Sequence, residues 1–276
     1  MGACRLEQVT PRVWWFTPDE RSDRPSLAAV AGDRGTAVLD AGASRAHAEA
    51  FLGALAPLGL PPVVAVVVTH WHWDHSFGAC AYDAPVVALR ETAAEVARQR
   101  ALTWDAPSLA ARVAAGQELA FCAEMLHVEY PNLAGVEIRV PDAVFDGEHA
   151  LELGGVTCRV VHVGGDHAAD SVVVHVPEEA LLFLGDCHYQ RLYAEREHYT
   201  VVGARRLLGR LRGLAPVEVA IEGHGDGRLD ARELTAFLQG LESAADRVDR
   251  LGCGALETAT DADDEETLAL FLAGVE

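Results

Sequence analysis

The sequence contains no lysine, so all 22 of its basic residues are arginines, and they are outnumbered by 42 aspartate and glutamate residues. The formal net charge is -20 at pH 7. Proteins that hold a phosphate backbone need clustered positive charge. This composition therefore argues against a nucleic-acid partner, and we expect a small-molecule substrate instead.

Two other features are missing: a cysteine pair of the Cys-x-x-Cys type and an apolar segment long enough to span a membrane. The six cysteines are scattered along the chain, which is typical of proteins that are kept in a reducing compartment. The first residues contain no apolar signal region for export. We therefore expect a cytoplasmic protein that has no membrane partner.

What the sequence does contain is a block of metal-competent side chains, His-Trp-His-Trp-Asp-His, at residues 70–75. It directly follows a run of valines that is typical of a buried strand. Alternate side chains of an extended segment point the same way, so His70 and His72 can reach one ion. Asp74 and His75 follow after a turn and can face a second ion. The alternative, surface histidines ahead of a helix capped by Asp74, explains poorly why four such residues are so close.

Three further ligand-type residues each follow a strand-like segment. His167 lies in a glycine-rich loop, Asp186 follows an apolar run and a glycine, and His224 lies between two glycines. Metal ligands are usually held on loops that leave rigid elements. Taken alone, Asp186 could equally be a turn residue, and His224 could be a solvated loop residue. The repeated order of strand, turn and ligand favours a shared metal site.

The ordered motifs resemble those of the metallo-β-lactamase superfamily over roughly residues 10–225. They begin with an aspartate after a strand, Asp40, and continue with the histidine-rich block, a histidine, an aspartate and a final histidine. The resemblance implies an α/β fold, a four-layer αββα sandwich with metals at one edge of its two sheets. Asp40 would orient the ligand loop rather than bind metal. The implied ligands are His70, His72 and His167 for the first ion, Asp74, His75 and His224 for the second, and Asp186 as the bridge.

The third motif departs from the usual family pattern. Members commonly have Thr-Pro-Gly-His-Thr-x-Gly-Ser, whereas this chain has Val-Gly-Gly-Asp-His-Ala-Ala-Asp-Ser, so only His167 and Ser171 match. His162 is a competing ligand because it lies five residues before His167. Its position in an alternating strand pattern favours a structural role.

With 276 residues, of which 50% are hydrophobic, the chain is long enough to bury a large core. Because the ligand-type residues come from both halves, we expect a single domain over residues 1–276. Helical spacing predicts an insertion near residues 91–126, interrupted at Pro107, and a helical C-terminal extension near residues 229–276. The insertion either covers the metal site or packs against the outer face of a sheet.

Two metal ions in one pocket would make hydroxide available at neutral pH, because a metal-bound water has its pKa lowered toward about 7. We therefore predict a dinuclear metal-dependent hydrolase that uses a metal-bound hydroxide to cleave a small-molecule ester, lactone or thioester. Asp74 or Asp186 would orient the hydroxide and move its proton. Zinc is the favoured ion for both positions, although the ligand set also suits iron and manganese.

The resemblance also bears on the substrate. It implies that true β-lactamases have a different residue at the position of Asp186, which argues against β-lactam hydrolysis. Tyr189 has a spacing similar to that of a tyrosine in the acyl-homoserine lactonases, whose hydroxyl helps to hold the substrate carbonyl. Tyr189 is therefore a second candidate catalytic residue, besides Asp74; its alternative is an ordinary half-buried aromatic. Two other functions remain open: an iron-dependent persulfide dioxygenase on the same fold, and a metal-binding protein without catalysis.

Overall fold

The computed structural model describes residues 4–225 and 227–275, whose strands form two sheets. The ends of the expected domain, residues 1–3 and 276, lie outside this description. In the first sheet seven strands follow one another in chain order; the first three pairings are antiparallel and the last three are parallel. These strands are β1 (Leu6–Thr10), β2 (Val13–Phe16), β3 (Leu27–Ala31), β4 (Thr36–Leu39), β5 (Val63–Val68), β6 (Val86–Leu89) and β7 (Ala143–Phe145).

The second sheet has six strands within the described residues, in the order β13-β12-β11-β10-β9-β8. The pairing of β11 with β12 is parallel, and the other pairings are antiparallel. These strands are β8 (Glu148–Glu152), β9 (Thr157–His162), β10 (Val172–Val176), β11 (Leu181–Gly185), β12 (Val219–Glu222) and β13 (Arg228–Asp230).

Eight α-helices accompany the sheets in the part of the chain that the structure describes. Pro107 lies in the first turn of the fourth helix, where its missing N–H costs no hydrogen bond, so it begins a helix rather than merely interrupting one. The helices are α1 (Arg45–Leu55), α2 (Trp73–Ser76), α3 (Arg90–Arg100), α4 (Ala106–Ala114), α5 (Ala120–Glu129), α6 (Val201–Leu211), α7 (Ala231–Leu251) and α8 (Ala262–Ala273).

Strand β5 shows how the layers are built. Ala65 and Val67 belong to the hydrophobic core between the two sheets, whereas Val66 and Val68 belong to the core on the outer face of the first sheet. Successive side chains of a strand point to opposite faces, so this strand is buried on both sides. That position explains why its sequence is continuously apolar instead of alternating.

Helices cover the outer faces of both sheets. Phe51 of α1 packs against the first sheet, and Leu207 of α6 and Leu234 of α7 pack against the second. The order of layers is therefore helix, sheet, sheet, helix, which confirms the predicted αββα sandwich. Helices α6, α7 and α8 share a further hydrophobic cluster that includes Phe271. No helix among the described residues combines the length and apolarity that are needed to cross a membrane.

Candidate metal centre

The loops that follow β5, β9, β11 and β12 meet at one edge of the sandwich and bring together the predicted ligand residues. His70, His72 and His167 form one group, in which one ligand atom from each residue lies within 4.8 Å of the others. All three side chains are buried, and their ring centroids are 4.5 to 5.1 Å apart. The strand-exit spacing of His70 and His72 thus places both imidazoles beside the histidine of the glycine-rich loop.

A second group contains Asp74, His75, Asp186 and His224, whose ligand atoms also lie within 4.8 Å of one another. Asp74 and His75 lie in the short helix α2, directly after the first group in the sequence. Oδ2 of Asp74 lies 3.0 Å from Nε2 of His75 and 3.1 Å from Nε2 of His224. The turn that begins at His72 therefore directs these side chains toward a second position.

One carboxylate oxygen, Oδ2 of Asp186, lies between the two groups. It is 4.0 Å from Nε2 of His70 and 3.4 Å from Nε2 of His167. On the other side it is 3.3 Å from Nε2 of His75 and 3.6 Å from Nε2 of His224. This is the arrangement that a bridging carboxylate requires.

The glycine that precedes His224 makes room for Asp186. A side chain at Gly223 would overlap with Oδ1 of Asp186, so only glycine permits this close approach of the backbone to the carboxylate. The glycines beside the ligand residues thus have a packing role in addition to allowing turns.

Several ligand-type atoms are buried without a hydrogen-bond partner. An unsatisfied buried polar atom costs about 1 to 3 kcal/mol, and native proteins rarely collect many of them at one place. Neutral imidazoles and carboxylates are ligands for zinc, iron and manganese, so the residues present fit divalent metal ions. The unpaired atoms are Nε2 of His70, His72, His75 and His167, and Oδ1 of Asp186.

Asp40 is fully buried beneath both groups and fixes their orientation. Its Oδ2 accepts a hydrogen bond from Nδ1 of His75 at 2.7 Å and one from the Thr69 hydroxyl at 3.0 Å. The Thr69 oxygen lies 3.1 Å from Nδ1 of His70. Each ring is therefore held through Nδ1 while Nε2 faces the centre, which is how outer carboxylates orient metal-binding histidines.

The loop that carries His167 is held by two aspartates that the usual family motif lacks. Asp166 accepts hydrogen bonds from the backbone N–H and the hydroxyl of Thr200, both at 2.8 Å, at the start of α6. Asp170 accepts hydrogen bonds from the backbone N–H of Trp71 at 3.0 Å and from the Thr92 hydroxyl at 2.7 Å. The unusual motif therefore joins the His167 loop to the loop that carries His70 and His72.

The environment determines the protonation of the two groups. Burial, and then the nearby charge of His75, lowers the pKa of His70 well below its usual value, so this imidazole is neutral and able to coordinate. Burial also opposes the charged form of His224, but Asp186 and Asp74 raise its pKa to about 9. The second group therefore attracts positive charge.

The structure places His162, the competing ligand residue, outside both groups. Nε2 of His162 donates a hydrogen bond to the carbonyl oxygen of Ala169 at 2.8 Å, so His162 supports the loop that follows it. Cys187 is buried in the hydrophobic cluster around the second sheet, as a small apolar residue would be.

A cavity of about 210 Å³ opens onto the two groups. Tyr189 lies on its wall, as do Phe121 and Cys122 of α5, so one helix of the segment after β6 does border the site. Tyr193 also borders the cavity, and its hydroxyl donates a hydrogen bond to Glu118 at 2.9 Å. The remaining wall residues are Asp23, Trp73, Gln190 and Leu192, besides the ligand residues His72, Asp74, His167, Asp186 and His224.

Sequence reasoning missed Asp23, Phe121 and Tyr193. Asp23 and Phe121 lie far along the chain from the predicted ligands. Tyr193 is close in sequence to Tyr189 but packs against the distant His72, and none of the three has a motif spacing that would mark it.

Comparisons with known proteins identify the family and the fold. A family model described as the metallo-beta-lactamase superfamily matches residues 23–224. A metallo-beta-lactamase from Pontibacter korlensis has a TM-score of 0.59 at 22% identity, covering 86% of this chain and 97% of that one. The DIM-1 metallo-beta-lactamase has a TM-score of 0.55 at 18% identity, covering 86% of this chain and 96% of that one.

The stereoselective inverting sec-alkylsulfatase Pisa1 from Pseudomonas sp. has a TM-score of 0.65 at 18% identity. That alignment covers 93% of this chain but 44% of the alkylsulfatase. At these identities the structural matches establish the fold alone. Comparison with curated protein sequences gave no significant match.

Proposed function

We propose that this chain, which belongs to the metallo-β-lactamase superfamily, is a dinuclear metal-dependent hydrolase of small-molecule esters, lactones or thioesters. One observation carries this proposal: Oδ2 of Asp186 lies within 4.0 Å of imidazole nitrogens from both groups. In this proposal one ion is held by His70, His72 and His167, the other by Asp74, His75 and His224, and Asp186 contacts both.

Two divalent ions bound there would lower the pKa of water toward about 7 and polarise the bond that is cleaved. We favour zinc for both positions, and the imidazole and carboxylate ligands also suit iron and manganese.

Asp74 is the residue that we propose moves the proton. Burial alone would raise its pKa, but His75 and His224 hold the pKa of Asp74 well below its usual value. Its carboxylate is therefore ionised at neutral pH and can accept a hydrogen bond from the attacking water, which the proposed ions would make acidic enough for its proton to be relayed. Because it borders the cavity, it can then pass the proton to the leaving group.

Tyr189 is the residue that we propose holds the substrate carbonyl. It lies on the cavity wall, with its ring centroid 6.0 Å from that of His167 and 6.5 Å from that of His224. Burial, and then Asp186, raises the pKa of Tyr189, so its hydroxyl stays protonated at neutral pH. A protonated hydroxyl can donate a hydrogen bond to the oxygen on which negative charge develops.

The cavity favours an uncharged acyl group with an apolar arm. Trp73, Phe121, Leu192 and Tyr193 supply apolar wall, and none of the described wall residues is an arginine. Apart from His224 and the proposed ions, a sulfate ester or another anionic substrate would find no positive charge on the described wall. This supports an ester, lactone or thioester over the anionic alternatives.

We also propose that the chain forms one domain, with a helical insertion near residues 91–126 and a helical C-terminal extension near residues 229–276. The support is that both sheets contribute ligand-type residues to one centre. A cytoplasmic location is part of the same proposal, since none of the six cysteines, all within the described residues, is in a disulfide.

The test combines metal analysis with a substrate panel. Protein purified without added metal is analysed for bound ions, and metal-loaded protein is assayed with lactones, aryl esters, glutathione thioesters, phosphodiesters and β-lactams. We expect two divalent ions per chain and the highest kcat/KM on an ester, lactone or thioester. Preference for a phosphodiester or a β-lactam would contradict the proposal. One iron per chain together with oxygen consumption would instead indicate an iron-dependent dioxygenase, and bound metal without turnover would indicate a non-catalytic protein.

A further inference from the structure

The turn between β2 and β3 directs an acidic side chain into the cavity. Asp19 and Arg24 close this turn with backbone hydrogen bonds of 2.9 and 3.1 Å. Asp23, just before the closing residue, has a φ of 53°, a left-handed conformation that aspartate and asparagine tolerate better than most residues. Its side chain is 17% exposed and borders the cavity.

Two arginines flank Asp23, and both are engaged elsewhere. Arg21 donates two hydrogen bonds to Asp19, at 2.8 and 2.6 Å. Arg24 donates two to Glu129 at the end of α5, at 2.8 and 3.0 Å. The first pair lies within the turn and the second holds the turn against α5, so neither arginine is a partner for the carboxylate of Asp23.

Asp23 also lies outside the candidate metal ligands. Its carboxylate lies 3.8 Å from Nδ1 of His224, whereas Nε2 of that ring faces Asp74 and Asp186. The two nitrogens lie on different edges of the imidazole, so Asp23 is on the side away from the other ligand atoms. A separation of 3.8 Å is also too long for a hydrogen bond that would orient the ring.

We propose that Asp23 forms a subsite for a positively charged ammonium group of the substrate, which gives the enzyme a preference for esters that carry an amine. The carboxylate supplies the counter-charge, and the aromatic side chains of Trp73, Tyr189 and Tyr193 border the same cavity, as suits an ammonium group and its apolar arm. The net charge of -20 attracts cations toward the site. This inference rests on the proposed hydrolytic function, because the ammonium group belongs to the molecule that is cleaved.

Calorimetric titration of the metal-loaded protein tests the subsite with two probes of equal shape, 2-phenylethylammonium and 2-phenylethanol. The titration is done at about pH 8, where an alkylamine is protonated as a lysine side chain is. We expect the wild type to bind the ammonium about ten- to a hundredfold more tightly than the alcohol, the usual gain from a charged hydrogen bond. Asp23→Asn keeps the shape and the backbone preference, and it should remove this difference while it retains the wild-type metal content.

The matched control is Glu20→Gln, which removes the same charge from an exposed position of the same turn and should keep the preference for the ammonium. Equal binding of the two probes by the wild type, or an undiminished preference in Asp23→Asn, would overturn the subsite. Loss of a metal ion in Asp23→Asn would also overturn it and assign Asp23 to the positioning of His224.

The binding measurement requires no turnover, so it is independent of the substrate panel. Equal binding of the ammonium and the alcohol would disprove the subsite even if esters are hydrolysed. Tighter binding of the ammonium supports the subsite even if no compound on the panel is cleaved, in which case only the proposed hydrolysis fails.

Discussion

Nδ1 of His75 donates a hydrogen bond to the buried carboxylate of Asp40 at 2.7 Å, and both side chains are fully shielded from solvent. Asp40 has a φ of 60°, so the backbone there is left-handed and places the carboxylate under the ligand loop. The same carboxylate accepts hydrogen bonds from the backbone N–H and the hydroxyl of Thr69. One aspartate from the end of β4 thus orients a loop that leaves β5.

Asp40→Asn should weaken metal binding without removing any ligand. Asparagine tolerates the left-handed backbone but carries no charge to hold Nδ1–H of His75. We expect metal affinity to fall about ten- to a hundredfold, as measured by titration against a competing chelator. The control is Asp146→Asn, at an exposed carboxylate that is paired with Arg90 and belongs to neither group. Unchanged affinity in Asp40→Asn would show that His75 needs no such support.

His70→Ala should remove one ion and abolish activity. His70 contributes one of three imidazole nitrogens in the first group, and without it only His72, His167 and the shared Asp186 would remain to hold the ion. Metal content and turnover are measured on the same preparation. His162→Ala is the comparison, and it should keep both ions because Nε2 of His162 is bonded to Ala169. If His70→Ala kept its metal while His162→Ala lost it, the assignment of the first group would be wrong.

Asp186→Asn should weaken the second ion more than the first. The first group has three histidines of its own. The second group would retain only one carboxylate, Asp74, to balance the positive charge of its ion. We expect about one ion per chain to remain at a metal concentration that saturates the wild type. A crystal structure of the metal-loaded wild type should show Asp186 between two ions roughly 3.5 to 4 Å apart. An Asp186 side chain directed into solvent would disprove the bridge.

Tyr189→Phe should lower kcat on esters or lactones by roughly ten- to a thousandfold and leave the metal content intact, because it removes only a hydrogen-bond donor to the developing oxyanion. Tyr193→Phe is the matched comparison on the same cavity wall. The Tyr193 hydroxyl is bonded to Glu118, so its removal should affect kcat less. Equal rates in the wild type and Tyr189→Phe would show that this hydroxyl does not touch the reacting oxygen.

Asp264 should stabilise the C-terminal helices at neutral pH and lose this effect in acid. Hydrogen bonds from Arg247 lower its pKa from 3.8 to about 2 in the folded chain. The pKa of Asp264 is lower in the folded chain than in the unfolded chain. Its stabilisation of the folded state is therefore complete above about pH 4 and disappears as the pH falls toward 2. Asp264→Asn should therefore lower Tm most above pH 4, with a difference from the wild type that narrows in acid. Asp263→Asn, at the exposed neighbouring residue, should give no such pattern.

The sequence predicted the framework of the site because its ligand-type residues follow strands. A buried strand fixes where its exit loop begins, so the block after β5 and Asp186 after β11 could be placed from the pattern of apolar residues alone. Local spacing also separated His70 and His72 from Asp74 and His75, and the structure places these pairs in different groups.

The walls of the cavity could not be predicted in this way. Asp23 comes to face the cavity because Arg24 pairs with Glu129, and Tyr193 does so because its hydroxyl meets Glu118. Such pairs join segments that are distant in the chain, and neither partner has a periodic pattern that would reveal the other. The three-residue strands β7 and β13 cannot be predicted for a related reason: they are too short to show alternation and form by pairing with a neighbouring strand.

The position of Asp186 between the two groups has a consequence for folding. His70 and His75 follow strand β5 of the first sheet, and Asp186 follows strand β11 of the second. Ions bound by all three residues would therefore cross-link the two sheets. A ligand that binds only the folded state stabilises that state, and well above Kd the gain in free energy of unfolding rises with the logarithm of the ratio of ligand concentration to Kd. Metal supply would then govern the lifetime of the folded protein as well as its chemistry, and metal-starved cells would lose the protein itself to proteolysis.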